Sequence, residues 1–164
     1  MKKLILVCIL TCACPVFAKA ATLDFPSDVP VASITIPDEW QPEGTATGVV
    51  ATSDDGAVFF STDVANEESM DQVVSDAVDF LTDNGVKIDT STQKQTPATM
   101  YDDLSISMVQ WEGTDKDGPV SISLAFVVPK EDTAVVVTYW GSKGAEDKHQ
   151  DAIVQMLLSI RAVN

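Results

Sequence analysis

Apolar and polar residues alternate along much of the second half of the chain. Large apolar side chains occupy every second position in two successive runs, and a third run is almost continuously β-branched and aromatic. Segments rich in glycine, aspartate and proline separate the runs, and such segments favour tight turns. This pattern predicts a three-stranded antiparallel meander with one large aliphatic face and one small, partly polar face. The three strands are expected at residues 104–111, 120–128 and 134–140.

Shorter extended segments precede the meander. Two of them flank Asp55-Gly56, a dipeptide that favours a tight β-hairpin. Pro97 marks another as an edge strand, because proline cannot donate a hydrogen bond to a neighbouring strand. These segments are residues 31–36, 47–52, 57–62, 86–90 and 94–100.

Two further segments repeat apolar residues at helical spacing. The first covers residues 70–81; Asn66 or Ser69 can cap its start, and Asn84-Gly85 is a typical helix end. The second runs from about residue 145 to 160. Strands and helices together predict an α+β domain. We expect a single antiparallel sheet of about six to seven strands, flanked by two amphipathic helices that can cover opposite faces.

Residues 1–20 have the plan of a cleavable secretory signal peptide. Two lysines precede an apolar run that is too short to span a membrane. Ala18-Lys19-Ala20 is an A-x-A cleavage site, and cleavage after Ala18 is the alternative, so the mature chain is expected to start at Ala21 or Lys19. Retention as an N-terminal anchor is disfavoured by that site. Residues 21–30, with two prolines, are expected to form a flexible lead-in to a domain of residues 31–164.

Composition narrows the function. All three cysteines lie within the first twenty residues, so the predicted mature chain has neither a disulfide nor a thiolate metal site. The full chain has a formal net charge of −15, and loss of three lysines leaves seven basic against 25 acidic residues, or −18. Such a charge disfavours nucleic acid and anionic lipid as partners. It suits a soluble protein, a basic partner or a salty habitat.

No catalytic or metal-binding motif is recognisable. His149 is the only histidine, no G-x-S-x-G sequence is present, and zinc sites need two or more His or Cys ligands. We therefore expect His149 to be a packed or solvated helix residue. Asp115-Lys116-Asp117-Gly118 begins like a calcium loop but lacks its later glutamate. A hairpin turn is predicted there, with a weak calcium contact at Asp115 and Asp117 as the alternative, and no cofactor is expected.

The order of these segments resembles the Mog1/PsbP-like superfamily, and in particular its small exported bacterial members, called DcrB-like. The resemblance spans nearly all of residues 31–162, and its best motif is the strand–Pro–acid–Trp opening ITIPDEW at residues 34–40. It implies an antiparallel sheet flanked by helices. Members include photosystem extrinsic subunits, a nuclear-transport cofactor and secretion chaperones, most of them binding proteins. No catalytic motif is shared, so no functional residue is carried over.

Four aromatic residues are candidates for contact with a partner: Trp40, Trp111, Tyr139 and Trp140. Trp40 follows a strand that ends at a proline, so it can either close the end of the core or contact a partner. Trp111 is expected on the small-residue face. Trp140 lies near a strand end beside Tyr139 and can contribute to an exposed aromatic patch.

The sequence therefore predicts an exported, non-catalytic accessory or binding protein of the bacterial cell envelope, periplasmic or secreted. Its partner is expected to be a protein or an envelope component, with the chain a monomer or weak oligomer and not inserted in the membrane. The alternative is an immunity or inhibitor protein that neutralises a basic toxin or enzyme, which the net charge favours. A hydrolase would need a nucleophile and base that the sequence does not supply.

Overall fold

The computed structural model describes residues 19–163, so most of the predicted signal peptide lies outside it. Within these residues the chain forms ten strands, two α-helices and one turn of 3₁₀ helix at Asp38–Trp40. The helices are α1 (Met70–Asp83) and α2 (Glu146–Ser159). The strands are β1 (Ala20–Phe25), β2 (Ala32–Pro37), β3 (Glu43–Gly44), β4 (Gly48–Thr52), β5 (Val58–Ala65), β6 (Lys87–Tyr101), β7 (Leu104–Asp115), β8 (Gly118–Lys130), β9 (Thr133–Ser142) and β10 (Arg161–Ala162).

Seven strands form the main sheet, in the order β3-β4-β5-β9-β8-β7-β6, and every neighbouring pair is antiparallel. The predicted meander is confirmed as β7, β8 and β9, and the α+β fold class is confirmed with it. The predicted division into one large aliphatic face and one small face is wrong, because the register pairs Met108 with Ala125 and Val109 with Leu124. Trp111 accordingly lies beside Ile122 and not on a small-residue face.

The expected single sheet needs one correction. A second, three-stranded sheet has the order β1-β2-β10 and takes the strand that ends at Pro37 out of the main sheet. The 3₁₀ turn and the positive φ of Gln41 redirect the chain between the two sheets.

The segment expected to be a flexible lead-in is in part an ordered strand. β1 pairs with β2 over six residues, and its last residue, Phe25, is buried in the core. On the outer side, the hydroxyls of Thr22 and Thr35 are hydrogen-bonded at 2.9 Å. The prolines that suggested a loose segment lie only in the connection after β1. Leu23 and Phe25 are two positions apart and both face the core, which is the spacing that a strand with one buried face requires.

The two helices cover opposite faces of the main sheet, which is the arrangement that the sequence left open for them. Residues of α1 pack against Leu124 and Val136, whereas residues of α2 pack against Ala125 and Val137. Because neighbouring residues of a strand point to opposite faces, these contacts place α1 and α2 on different sides. The small sheet shares the α2 side.

Strand β6 forms one edge of the main sheet and joins two segments that were predicted separately. Its pairing with β7 shifts register between Asp89 and Lys94 and again between Thr96 and Thr99, and Pro97 lies within the second irregularity. The predicted edge position is confirmed. The helix end before β6 is also confirmed, since Gly85 has a φ of +81°.

Trp40 closes one end of the core. It is only 1% exposed, and its ring makes edge-to-face contacts with Phe60 and His149, at centroid distances of 6.5 and 5.4 Å. The proline that ends β2 and the 3₁₀ turn together swing the indole back over the space between the two sheets.

We predict that Trp40→Ala lowers the free energy of unfolding by about 3–5 kcal/mol, because truncating a buried aromatic side chain leaves a cavity. Urea denaturation measures the change. Trp140→Ala serves as the matched control, since Trp140 is only partly buried, and a smaller loss is expected there. If Trp40→Ala unfolds at the same urea concentration as the wild type, Trp40 does not close the core.

Candidate functional site

The structure does not bring the four candidate aromatic residues together. Trp40 lies in the core and is inaccessible to a partner. Tyr139 and Trp140 are neighbours on β9 and so point to opposite faces, Tyr139 toward the α2 side and Trp140 toward the α1 side. Trp111 packs on the α1 side, and its indole N–H donates to Oε1 of Gln93 at 3.2 Å. The two faces must therefore be considered separately.

On the α1 side, Trp140 belongs to a cluster of three aromatic rings. Phe59 is its cross-strand partner, with a centroid distance of 4.5 Å. Phe80 of α1 lies 5.4 Å from Phe59 and 5.9 Å from Trp140, and it is 39% exposed. The expected aromatic patch thus exists, but sequence reasoning missed Phe59 and Phe80. The register of β5 with β9 places Phe59 beside Trp140, and the packing of α1 on the sheet places Phe80 there.

On the α2 side, the helix is held at both ends away from the β6–β8 part of the sheet. Near its N-terminus, His149 and Lys148 contact Asp55 in the turn between β4 and β5. Near its C-terminus, the Ser159 hydroxyl accepts a hydrogen bond from the backbone N–H of Thr35 in β2, at 2.9 Å. A groove consequently remains between α2 and the part of the sheet that includes Ser121 and Ser123 of β8.

This α2 groove encloses about 350 Å³. Its lining mixes apolar, polar and charged side chains, which include Met108, Gln110, Ser123, Tyr139, Ile153 and Leu157 as well as Lys94, Glu112 and Asp147. Two of the polar contacts inside are long: Gln110 Nε2 donates to Ser123 Oγ at 3.4 Å, and the Tyr139 hydroxyl donates to Met108 Sδ at 3.5 Å. The arrangement suits an uncharged, amphipathic guest, because apolar side chains supply contact area and the polar groups fix orientation.

The formal charges that line the α2 groove balance, because Lys94 and Asp147 carry opposite charges and Glu112 is paired with a lysine outside the groove. Glu112 lies 2.9 Å from Nζ of Lys143. This hydrogen-bonded ion pair lowers the pKa of Glu112 below its usual value. Glu112 is thus an ionised but paired group and does not demand a cation from a guest.

A second groove lies between α1 and the β4–β5 part of the sheet and encloses about 380 Å³. Residues that line this α1 groove include Thr47, Asp63, Val73, Asp76, Ala77 and Phe80. The Thr47 hydroxyl donates to Oδ1 of Asp63 at 2.6 Å. Partial burial raises the pKa of Asp63, and the nearby charge of Asp76 raises it further, against the hydrogen bond from Thr47.

A glycine next to Thr47 allows β4 to approach β5 closely beside the hydrogen bond between Thr47 and Asp63. Gly48 faces Asp63 in the register of β4 with β5. A Cβ at this position would overlap the carbonyl oxygen of Thr62, so only glycine lets the strands approach here. The hydroxyl of Thr62 in turn accepts a hydrogen bond from the N–H of Val49, at 3.0 Å.

His149 is packed, which is one of the two environments that the sequence allowed. Its side chain is 8% exposed, and its Nε2 lies 3.0 and 3.1 Å from the two carboxylate oxygens of Asp55. Lys148, Ser53 and the N–H of Ala57 also donate to Asp55. These donors, Lys148 foremost, hold the pKa of Asp55 well below its usual range.

Among residues 19–163, the ligand atoms of Asp54, Asp55 and His149 lie within 4.8 Å of one another, close enough to hold a metal ion. The chemistry of the cluster argues against that use. The Lys148 ammonium lies 2.8 Å from Oδ2 of Asp55, where it would repel a cation. His149 already engages the same carboxylate. The cluster therefore works as an ion-pair network that ties α2 to the β4–β5 turn.

The predicted hairpin turn at Asp115–Gly118 joins β7 to β8. Oδ1 of Asp115 accepts hydrogen bonds from the N–H groups of Asp117 and Gly118, at 2.8 and 3.0 Å. Lys116 pairs with Asp117 at 2.7 Å. One carboxylate oxygen of Asp115 thus stabilises the turn, and a lysine neutralises the other acid.

Comparison with known proteins yields structural likeness only. No family model matches the chain, and no curated protein sequence matches it significantly. LpqN, involved in cell envelope biogenesis of Mycobacterium tuberculosis, superposes with a TM-score of 0.53 at 10% identity, over 88% of this chain and 92% of LpqN. PsbP (CyanoP) of Synechocystis sp. PCC 6803 superposes with a TM-score of 0.56 at 7% identity, over 94% of this chain and 99% of CyanoP.

The chain has the Mog1/PsbP-like fold. The resemblance inferred from the ITIPDEW opening and the order of elements is thereby confirmed at the level of fold. The narrower likeness to DcrB-like members stays a prediction. A shared fold at 10% and 7% sequence identity assigns neither a function nor a functional site to this chain. Neither helix in the described part of the chain has the length and apolar character needed to cross a membrane.

Asp55→Asn is expected to lower the melting temperature at neutral pH, because an amide cannot offset the charge of Lys148. The pKa of Asp55 is depressed in the folded state. Its carboxylate therefore stabilises the fold above the ordinary aspartate pKa of about 3.9, and this stabilisation is lost as the pH falls through the lower folded-state value.

The difference in melting temperature between wild type and Asp55→Asn should thus be largest near pH ~7 and shrink below pH ~4. Circular dichroism melts across this range measure it. Asp54→Asn, at the exposed neighbouring position, is the control and should show little difference at either pH. A gap that stays constant from neutral to acid pH would contradict the ion-pair role of Asp55.

Proposed function

We propose that this protein is an exported, non-catalytic binding protein of the bacterial cell envelope, and that it receives an uncharged, amphipathic segment of a protein partner in the α2 groove. The observation that carries the proposal is the groove itself. Its volume of about 350 Å³ falls in the range of known ligand sites, which run from about 300 to 1,000 Å³. Val154, which lines the groove, is 41% exposed and offers an apolar lip to a partner.

The environment of the single histidine supports a non-catalytic role. Ser53, Asp55 and His149 are linked, but the carboxylate lies between the serine and the histidine. In a catalytic triad the histidine lies between them, because it must accept the proton of the serine hydroxyl. Ser53 is also buried, and its hydroxyl accepts a hydrogen bond from the N–H of Val58.

The likeness to LpqN, described as involved in cell envelope biogenesis, supports an envelope role through the shared fold. The signal-peptide pattern of residues 1–20 supports export. A second candidate function, neutralisation of a basic toxin or enzyme, is favoured by the α1 groove. Two carboxylates, those of Asp63 and Asp76, line that groove, and no lysine or arginine does.

Val154→Asp tests the proposed binding surface. A carboxylate on the apolar lip would lose hydration when a partner binds, so we expect affinity for the partner to fall at least about tenfold. The partner is first captured by wild-type protein from envelope extract and identified, and the purified pair is then titrated. The free energy of unfolding of Val154→Asp should stay within about 0.5 kcal/mol of the wild-type value, as is usual for exposed substitutions.

The matched control is Val29→Asp, at a valine that is 72% exposed and lines neither groove. It should bind the partner as the wild type does. If Val154→Asp and Val29→Asp bind the partner equally well, the α2 groove is not the binding surface.

Export has its own test. We expect the mature protein recovered from the envelope or medium to begin at Lys19 or Ala21, because both follow signal-peptidase sites. Either start keeps most of β1, although a start at Ala21 would lose the hydrogen bond from the N–H of Asp38 to the carbonyl of Lys19, at 2.9 Å. Intact mass measurement decides the position. A chain that retains Met1 would contradict export by cleavage.

A further inference from the structure

We propose that the α1 groove is a docking site for a lysine or arginine side chain of a protein partner. The cation would lie against the carboxylates of Asp63 and Asp76, with its aliphatic stem along the ring of Phe80. This site lies on the face of the sheet opposite the α2 groove, so it is independent of the binding proposed there, and it deepens the second candidate function by naming the group that a basic partner would insert.

The negative charge of Asp63 is poorly compensated. It is partly buried between β5 and α1, and the neutral hydroxyl of Thr47 donates a hydrogen bond to its carboxylate. Among residues 19–163, no ion pair involves either Asp63 or Asp76. Burial of a carboxylate without a cation is costly, and proximity to Asp76 adds repulsion. An ammonium or guanidinium group from a partner would relieve both costs.

Phe80 gives the groove an apolar wall suited to the stem of a basic side chain. Its ring is 39% exposed, and contacts with Phe59 and Trp140 fix its position. Val73 and Ala77 extend the same wall along α1. Lysine and arginine bury their methylene groups on such surfaces and keep the charged head on a polar partner, and an aromatic face adds a cation–π attraction.

Charge complementarity extends beyond the groove and identifies the guest as part of a larger basic partner. Helix α1 carries four aspartates and no lysine or arginine. This uniformly acidic surface, on a predicted mature chain of net charge −18, would accelerate encounter with a basic protein. A free amine would occupy the groove but would leave the rest of the acidic surface of α1 without a counterpart.

The experiment uses short peptides that carry one arginine or one lysine among glycine and leucine residues. The matched neutral peptides carry citrulline or norleucine. In NMR titrations, we expect the basic peptides to shift the backbone amides of Thr47, Asp63, Ala77 and Phe80. The neutral peptides should bind at least about tenfold more weakly, since a charge-assisted hydrogen bond is lost. Equal binding of basic and neutral peptides, shifts confined to the α2 groove, or no binding would each overturn the proposal.

Asp63→Asn separates binding from folding. We expect it to weaken binding of the basic peptides at least about tenfold. We also expect it to melt no lower than the wild type at neutral pH. Because the pKa of Asp63 is raised in the folded state, its ionised form destabilises the fold above that pKa, and the advantage of asparagine should vanish at acid pH, where Asp63 is protonated.

Asp71→Asn is the matched control, because Asp71 lies on the exposed surface of α1 and does not line the groove. It removes the same charge and should change peptide affinity only slightly. If Asp63→Asn and Asp71→Asn weaken binding equally, the attraction is a general field effect and the groove is not a specific site. A loss caused by Asp63→Asn but not by Val154→Asp would assign the binding to α1 alone.

Discussion

The main sheet buries its central strands on both faces, and this requirement governs how the rest of the chain is placed. In β9, the run from Ala134 to Thr138 is buried on both sides. Each face therefore needs cover, and the described chain supplies one helix for each, with the small sheet added on the α2 side. Two helices of 14 residues are too short to cover seven strands completely. The two grooves lie where that cover ends.

The positions of the grooves follow from how each helix is anchored. Helix α2 is fixed at one end by Asp55, in the turn between β4 and β5, and at the other by Thr35, in β2 of the small sheet. Three of the seven cations after residue 20 are used in pairs with Asp55, Glu112 and Asp117. Asp63 receives none. Partial burial raises the pKa of this unpaired carboxylate.

Much of the fold could be predicted from local pattern, because strands β7 to β9 and helix α1 are long and strongly periodic. The small sheet could not, since β10 has only two residues and pairs with a strand from the other end of the chain. The grooves escaped prediction for a similar reason. Gly48 meets Asp63 only through the register of β4 and β5, and Asp55 meets His149 only through the docking of α2. Closure of the core was one of the two roles predicted for Trp40, and it could be predicted because its cause, a strand ended by proline, is local.

The two edges of the main sheet have a consequence for how this protein meets other chains. One edge is β3, only two residues long, and the other is β6, which is interrupted twice and contains Pro97. Regular edges invite another strand to add by backbone hydrogen bonding, which leads to uncontrolled association. Here neither edge offers an uninterrupted row of donors and acceptors. The main sheet therefore resists extension by an added strand, and β1, an outer strand of the small sheet, is the longest regular edge that the described residues present.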